Sequence, residues 1–269
     1  MIFTCPHCSG KLNKKGESLV CDKGHSFDLS KEGYCNLLVR GGFHGDNKEM
    51  VVARRNFLSR GYYRPMAERL ASILLSYAQK GQFILDSGSG EGYYTDLVER
   101  AIYERDSESN VYGFDISKDA VKAAAKRNGR LNLAVASAYR QPFADGSVDL
   151  AYNVFSPLAT EEIGRILKSK GIFIMVIPDV MHLYELKAAV YDDPYKNTVE
   201  DTALSGFSLV ADEPVHYDMR LDNNEDILSL FKMTPYAYRT KKENAERILS
   251  LNTLTVSAHF RILVYRKDF

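Results

Sequence analysis

The chain has 269 residues, enough for one substantial α/β domain with a small appendage. A composition of 45% hydrophobic and 26% charged residues is that of a folded protein and excludes a low-complexity or disordered chain. The 35 Lys and Arg are balanced by 35 Asp and Glu, so net charge gives no reason to expect a polyanionic partner. The ends nevertheless lean basic: residues 1–55 hold nine Lys or Arg against six acids, and residues 232–269 hold eight against three. Met1–Cys5 lacks the basic-then-apolar layout of a signal peptide, and no apolar run is long enough to cross a bilayer. The expectation is a cytoplasmic protein with no membrane partner.

In chain order, the first feature is Cys5-Pro6-His7-Cys8, followed after twelve residues by Cys21-Asp22-Lys23-Gly24-His25. Two close pairs joined by a hairpin are the arithmetic of a tetrahedral zinc site, with Cys5, Cys8, Cys21 and His25 as ligands. Four protein ligands leave no open position for water, so the metal is expected to be structural. A segment this short has little core of its own, and the ion would supply most of its folding free energy. His7 could compete as a ligand, but it sits inside the first pair, where cysteines on both sides already satisfy the geometry; Cys35 reads as a small buried residue. The glycine-rich stretch 40–47 marks a boundary, which gives a zinc-binding domain over 1–40, a linker with helices over 41–80, and a larger α/β domain over 81–269.

Helical spacing covers 49–59, and Pro65 opens a second helix that runs to about residue 77. From residue 82 strands and helices alternate. Strands are expected at 83–86, 111–115, 131–136, 148–153 and 171–177, with helices at 93–102, 118–126 and 160–167 between them. Such alternation implies a parallel sheet with right-handed crossovers. Further on, helices near 183–191 and 225–230 accompany two late strands, 207–215 and 253–265, read as an antiparallel pair that closes the sheet.

The chain is organised around Asp86-Ser87-Gly88-Ser89-Gly90-Glu91-Gly92-Tyr93. An apolar strand runs into three alternating glycines and then a helix, the first unit of a nucleoside-binding α/β fold. Asp115 ends the next strand, 25 positions after Gly90. Its carboxylate suits the two ribose hydroxyls of an adenosine, or else the turn before the following helix. Asp86 and Glu91 place negative charge where a pyrophosphate would be repelled and a cationic methionine moiety tolerated. The spacing is G-x-G-x-G rather than G-x-G-x-x-G. Both features favour S-adenosylmethionine over a dinucleotide.

Asp86–Gly92, Asp115, Ala136-Ser137 and 150–157 resemble the successive motifs of class I S-adenosylmethionine-dependent methyltransferases, with Ser87 and Ser89 in place of the usual apolar residue and Cys. The finger, Lys31-Glu32-Gly33-Tyr34, Asn36-Leu37-Leu38, Gly61-Tyr62-Tyr63, His182-Leu183 and Met233-Thr234-Pro235 narrow the likeness. Together they resemble the large-subunit ribosomal RNA guanine-N1 methyltransferases of the RlmA group. The resemblance implies a Rossmann-like, seven-stranded mixed sheet with a small N-terminal zinc domain. It implies S-adenosylmethionine and structural zinc as cofactors, and N1 of a guanine in a 23S rRNA hairpin as acceptor. The donor site would be lined by Tyr63, Asp86, Gly88, Gly90, Glu91, Gly92, Tyr93, Asp115, Ala136, Ser137 and His182.

Guanine N1 carries a proton that must leave; of the candidate catalytic residues, Asp179 and His182, after the fifth strand, are the proton acceptors, while Asn153, with Ser156 and the backbone at Pro157 at the exit of the fourth strand, is placed to bind the base edge. Lys14, Lys15, Lys23, Arg54 and Arg55 are expected to grip RNA. A homodimer is the expected assembly. Two other readings stay open at this level: a methyltransferase for a small molecule, and a non-catalytic zinc module that binds RNA or protein.

Overall fold

In a computed structural model, residues 2–39, 45–199 and 202–269 are described. The glycine-rich boundary expected from residue 40 onward therefore falls largely, at 40–44, outside the described residues. The N-terminal segment forms a three-stranded antiparallel sheet from β1 (Asn13–Lys15), β2 (Ser18–Val20) and β3 (Ser26–Asp28). A two-residue strand, β4 (Cys35–Asn36), leaves it and joins a second sheet. Helices α1 (Lys48–Ser59) and α2 (Arg64–Tyr77) follow. Asn47 caps α1 by accepting from the Met50 amide at 2.9 Å, and Pro65 sits in the first turn of α2.

The alternating region then gives β5 (Phe83–Ser87), α3 (Tyr93–Arg105), β6 (Asn110–Asp115), α4 (Lys118–Arg127), β7 (Asn132–Val135), β8 (Val148–Val154), α5 (Thr160–Ile166) and β9 (Leu167–Pro178). The remainder is α6 (Tyr184–Val190), β10 (Phe207–Leu221), α7 (Asn224–Lys232), α8 (Tyr236–Arg239), α9 (Lys242–Leu249) and β11 (Leu254–Lys267). The strand order is β10-β11-β9-β8-β5-β6-β7-β4. All neighbours from β9 to β4 run parallel, while β11 is antiparallel to β9 and to β10. The late pair closes the sheet as expected.

Among the described residues the sheet has eight strands rather than the expected seven. Cys35 and Asn36 lie parallel to Ala134 and Val135 and cover the free edge of β7. The strand is too short to show any alternation in sequence.

Successive residues of the central strands feed two different cores, as the pleat requires. Ile84, Val111 and Ile174 pack on the face covered by α1, α2, α3, α4 and α6, whereas Leu85, Tyr112 and Phe173 face a second cluster. That second cluster is completed by Ile163 and Ile166 of α5 and by Phe3, Leu12 and Leu19 of the N-terminal segment. Phe3 is 1% exposed and meets Tyr112 edge to face at 5.4 Å. The N-terminal segment thus borrows its apolar core from the sheet. Burying a Phe contributes about 1.5–3 kcal/mol to this docking.

β5 lies between β6 on one side and β8 on the other, so the crossovers reverse direction there. A crevice opens at such a reversal, outside the carboxyl ends of the strands. The glycine loop, Asp115 and Asn153 all sit at that end.

Candidate active site and metal centre

The Sγ atoms of Cys5, Cys8 and Cys21 and a ring nitrogen of His25 all lie within 4.8 Å of one another. Cys8 and Cys21 sulfurs are 3.6 Å apart, and His25 Nδ1 is 3.5 Å from the Cys5 sulfur and 3.4 Å from that of Cys21. A tetrahedral ion with Zn–S bonds of about 2.3 Å separates two sulfurs by about 3.8 Å, so this donor set fits zinc. His7 stands outside the quartet and stacks on Phe27 at 5.8 Å. Cys35 is buried in β4, with its thiol pushed up to about 12 by burial.

This centre is fastened to the crevice. Thr4 donates its amide to the Pro142 carbonyl at 2.9 Å, and Arg140 donates to the Pro6 carbonyl at 2.8 Å. Between these contacts and the end of β7 lie Ala136, Ser137, Ala138 and Tyr139, which line a cavity of about 1000 Å³.

The same cavity takes Gly88, Ser89, Gly90, Glu91 and Tyr93 from the glycine loop and Asp115 from the end of β6. Tyr63, Asn153 and His182 line it as well. Ten of the expected site residues therefore converge. Asp86, Gly92 and Asp179 are not among the lining residues. Asp86 lies behind the loop, where Thr95 donates to its Oδ2 at 2.7 Å, and burial raises its carboxyl to about 7. Gly92 is the N-cap of α3 with φ of 82°, and a Cβ there would come within 2.7 Å of the Ala124 Cβ. It sets the close packing of α3 on α4 and holds the loop from outside. Asp179 turns away to accept from His216 Nε2 on β10 at 2.8 Å. Burial works against its charge, but the Val180 amide and His216 together hold its carboxyl below the usual range.

Asp115 accepts from the Gly90 amide at 3.0 Å with one oxygen and from the Ser117 amide at 2.8 Å with the other. Helix α4 is capped by Ser117 itself, whose hydroxyl accepts from the Ala120 amide. Asp115 thus fixes the glycine loop while lining the cavity; burial raises its carboxyl, against those two amides. Glu91 is 2% exposed and pairs through Oε2 with Arg127 at 2.5 Å, while its Oε1 has no partner among the described residues. The Ser89 hydroxyl and the His182 Nδ1 are likewise buried without a partner among the described residues. Buried polar atoms without partners in a cavity wall suit a polar ligand.

His182 Nε2 lies 3.3 Å from the Tyr63 hydroxyl. Burial, followed by the Lys187 charge, lowers its imidazole to about 3, so the ring is neutral and a weak base. Asn153 donates through its amide nitrogen to the Ser87 carbonyl at 3.0 Å and to the Ser156 hydroxyl at 2.7 Å. Arg54 is not among the outward cations: it pairs with Asp46 in the cavity wall. Lys14, Lys15, Lys23 and Arg55 are exposed.

Sequence reasoning did not single out Phe155 and Tyr236, which also line the cavity, or Arg127, which partners Glu91. The charge pair Glu91–Arg127 carries no local signal, because 36 positions separate the partners. The described helices include none long and apolar enough to cross a membrane.

A strand–glycine-loop–helix unit, an acid at the next strand end and a cavity at the reversal of the sheet define a class I S-adenosylmethionine-dependent methyltransferase. A zinc ribbon is docked on the loop that follows β7. A profile of the RlmA N-terminal zinc ribbon matches residues 3–39, and a methyltransferase-domain profile matches residues 78–250. The chain is 32% identical to a Bacillus subtilis strain 168 protein described as a candidate 23S rRNA (guanine-N1) methyltransferase, over 99% of this chain and 97% of the other. It is also 32% identical to the 23S rRNA (guanine(748)-N(1))-methyltransferase of Streptomyces fradiae, over 96% and 95%. Among solved structures, the YcgJ protein of Bacillus subtilis matches at 16% identity with a TM-score of 0.47, over 74% of this chain and 98% of that one. The chain belongs to the RlmA family of 23S rRNA guanine-N1 methyltransferases.

Proposed function

We propose that the protein transfers a methyl group from S-adenosylmethionine to N1 of a guanine in a 23S rRNA hairpin. The observation that carries this reading is the joint match of ribbon and catalytic domain, at 32% identity over almost the whole chain, to relatives named for that reaction. Bound S-adenosylmethionine supplies an electrophilic methyl on a sulfonium.

The chain's own residues bind and orient. Ser89, Gly90 and Glu91 are assigned to the donor, with Asp115 at the ribose and Ala136-Ser137 beside the adenine. Tyr63 and Tyr93 complete the wall. Asp86 and Gly92 act from behind, by fixing the loop. His182, neutral and with one ring nitrogen lacking a partner among the described residues, is assigned a hydrogen bond to the ligand rather than a proton transfer. Asp179 is engaged with His216 and carries no assigned step. Catalysis is then chiefly positioning in a partly enclosed cavity.

A guanine paired or stacked in a hairpin must be splayed out to reach the cavity. The ribbon over residues 1–40, with exposed Lys14, Lys15 and Lys23, is assigned to the RNA backbone, as is Arg55. Residues 81–269 are assigned to methyl transfer, and the segment 41–80 joins the two. A cytoplasmic homodimer completes the reading; its mass in sedimentation tests the assembly state. The main test is incubation with labelled donor and undermodified 23S rRNA, followed by nuclease digestion and nucleoside mass analysis. The expected product is 1-methylguanosine. Label recovered in a small molecule without RNA overturns the reading.

A further inference from the structure

Phe155 has two properties that an ordinary wall residue lacks. Its φ is 55°, in the left-handed region that bulky L-residues rarely adopt, and the residue is 43% exposed although it lines the cavity. Backbone strain of this kind persists only where the surroundings over-determine it.

The surroundings here do. Phe155 follows β8 directly, and its amide bonds the Val176 carbonyl on β9 at 3.4 Å. On its other side, the Ser156 hydroxyl donates to the Ser87 carbonyl at 2.8 Å and accepts from Asn153. Ser156 is seated so close to the glycine loop that a Cβ on Gly88 would lie 2.0 Å from its oxygen. The turn that kinks Phe155 is therefore built against the donor loop itself.

The ring is supported by other rings. Its centroid is 5.6 Å from Phe260, 6.3 Å from Tyr63 and 6.4 Å from Tyr94, and it lies nearly parallel to His182. An aromatic so backed, with much of its surface open to a cavity, is a stacking surface for a flat π ligand.

We propose that Phe155 is the platform on which the target guanine stacks, and that the Asn153–Ser156–Ser87 clamp sets the distance from platform to donor loop. This rests on the rRNA guanine reading above and adds to it the residue that holds the base. It also gives the strain a purpose: an extended backbone at 155 would aim the side chain differently.

The test uses full-length zinc-loaded protein and the variants F155L, F155N, F155Y and F155W. Rates are measured on undermodified 23S rRNA with labelled donor, and donor affinity by calorimetry. Base–aromatic stacking energies translate into a loss of roughly ten- to hundredfold in kcat/KM for RNA in F155L and F155N. Donor Kd stays within about twofold in all four, and F155Y and F155W keep most of the activity. Asparagine tolerates the left-handed backbone, so F155N is expected to melt no lower than F155L. Wild-type activity on RNA with unimpaired F155L and F155N overturns the platform. So does a parallel loss of donor affinity, which would make Phe155 part of the donor wall. A wild-type protein that leaves 23S rRNA unmethylated overturns the function reading instead, and the platform with it.

Discussion

The Ser156 hydroxyl donates to the Ser87 carbonyl at 2.8 Å, and so ties the exit of β8 to the mouth of the glycine loop that follows β5. Gly88 lies beneath this contact with φ of 94°. A methyl at 88 would meet both the hydroxyl and the Cβ of Ser156, at 2.0 and 2.4 Å. We expect G88A to weaken donor binding at least tenfold and to lower methyl transfer further. The double variant G88A/S156G removes the clash but not the backbone strain, so it should recover part of the loss. Calorimetry on the two variants checks this; a double variant no better than G88A would show that the contact with Ser156 is not the cause.

One carboxylate oxygen of Glu91 has no partner among the described residues, while Arg127 holds the other. Burial raises its carboxyl and the Arg127 charge opposes that, a balance that a neutral amide would upset. E91Q should weaken donor binding by roughly tenfold, the scale of one charge-assisted hydrogen bond at about 1.5 kcal/mol. Equilibrium binding of the donor measures it directly, and an unchanged Kd would remove Glu91 from the donor site.

Asp86 sets a pH dependence whose sign follows from its burial. Its folded carboxyl is raised from 3.8 to about 7, so the folded chain holds that proton more tightly than the unfolded one. Its contribution to stability is complete below about pH 4 and is lost as pH rises through about 7. D86N removes this slope. The stability of D86N relative to the parent chain should therefore rise between pH 4 and pH 8, by up to about 4 kcal/mol. Urea unfolding at several pH values, without donor, reads the difference; a constant difference would mean that the carboxyl titrates in its ordinary range.

The zinc ribbon is fastened to the segment that lines the cavity through Thr4–Pro142 and Pro6–Arg140 and through the burial of Phe3. Removal of the ion should unfold the ribbon and release the loop carrying Ser137 and Tyr139. We expect one zinc per chain, a several-fold weaker donor Kd after chelation, and recovery on adding zinc back. Equal donor affinity with and without metal would show that ribbon and cavity are independent.

Much of this was legible in the sequence because the signals are local. The glycine loop, the acid ending β6 and the two metal-ligand pairs each lie within a few residues, and the βα alternation has a clear period. What was not legible depends on distant partners or on backbone angles. Cys35–Asn36 is too short to show alternation, so the eighth strand was missed. Asp86 and Gly92 were expected at the donor, yet packing against Thr95 and Ala124 puts them behind the loop. Asp179 seemed placed for chemistry by its position after β9, but a cross-strand histidine claims it. The left-handed turn at Phe155 has no sequence signature, since nothing in the residue type demands it.

The central claim is that ribbon, donor loop and cavity together serve one guanine N1. A methyl there blocks the pairing edge of the base and arrests reverse transcription. Primer extension on undermodified 23S rRNA treated with the protein and S-adenosylmethionine tests it most directly. A single new arrest at a guanine is expected, dependent on both donor and intact ribbon. Full methyl transfer without any arrest, or an arrest unchanged when residues 1–40 are deleted, would contradict it.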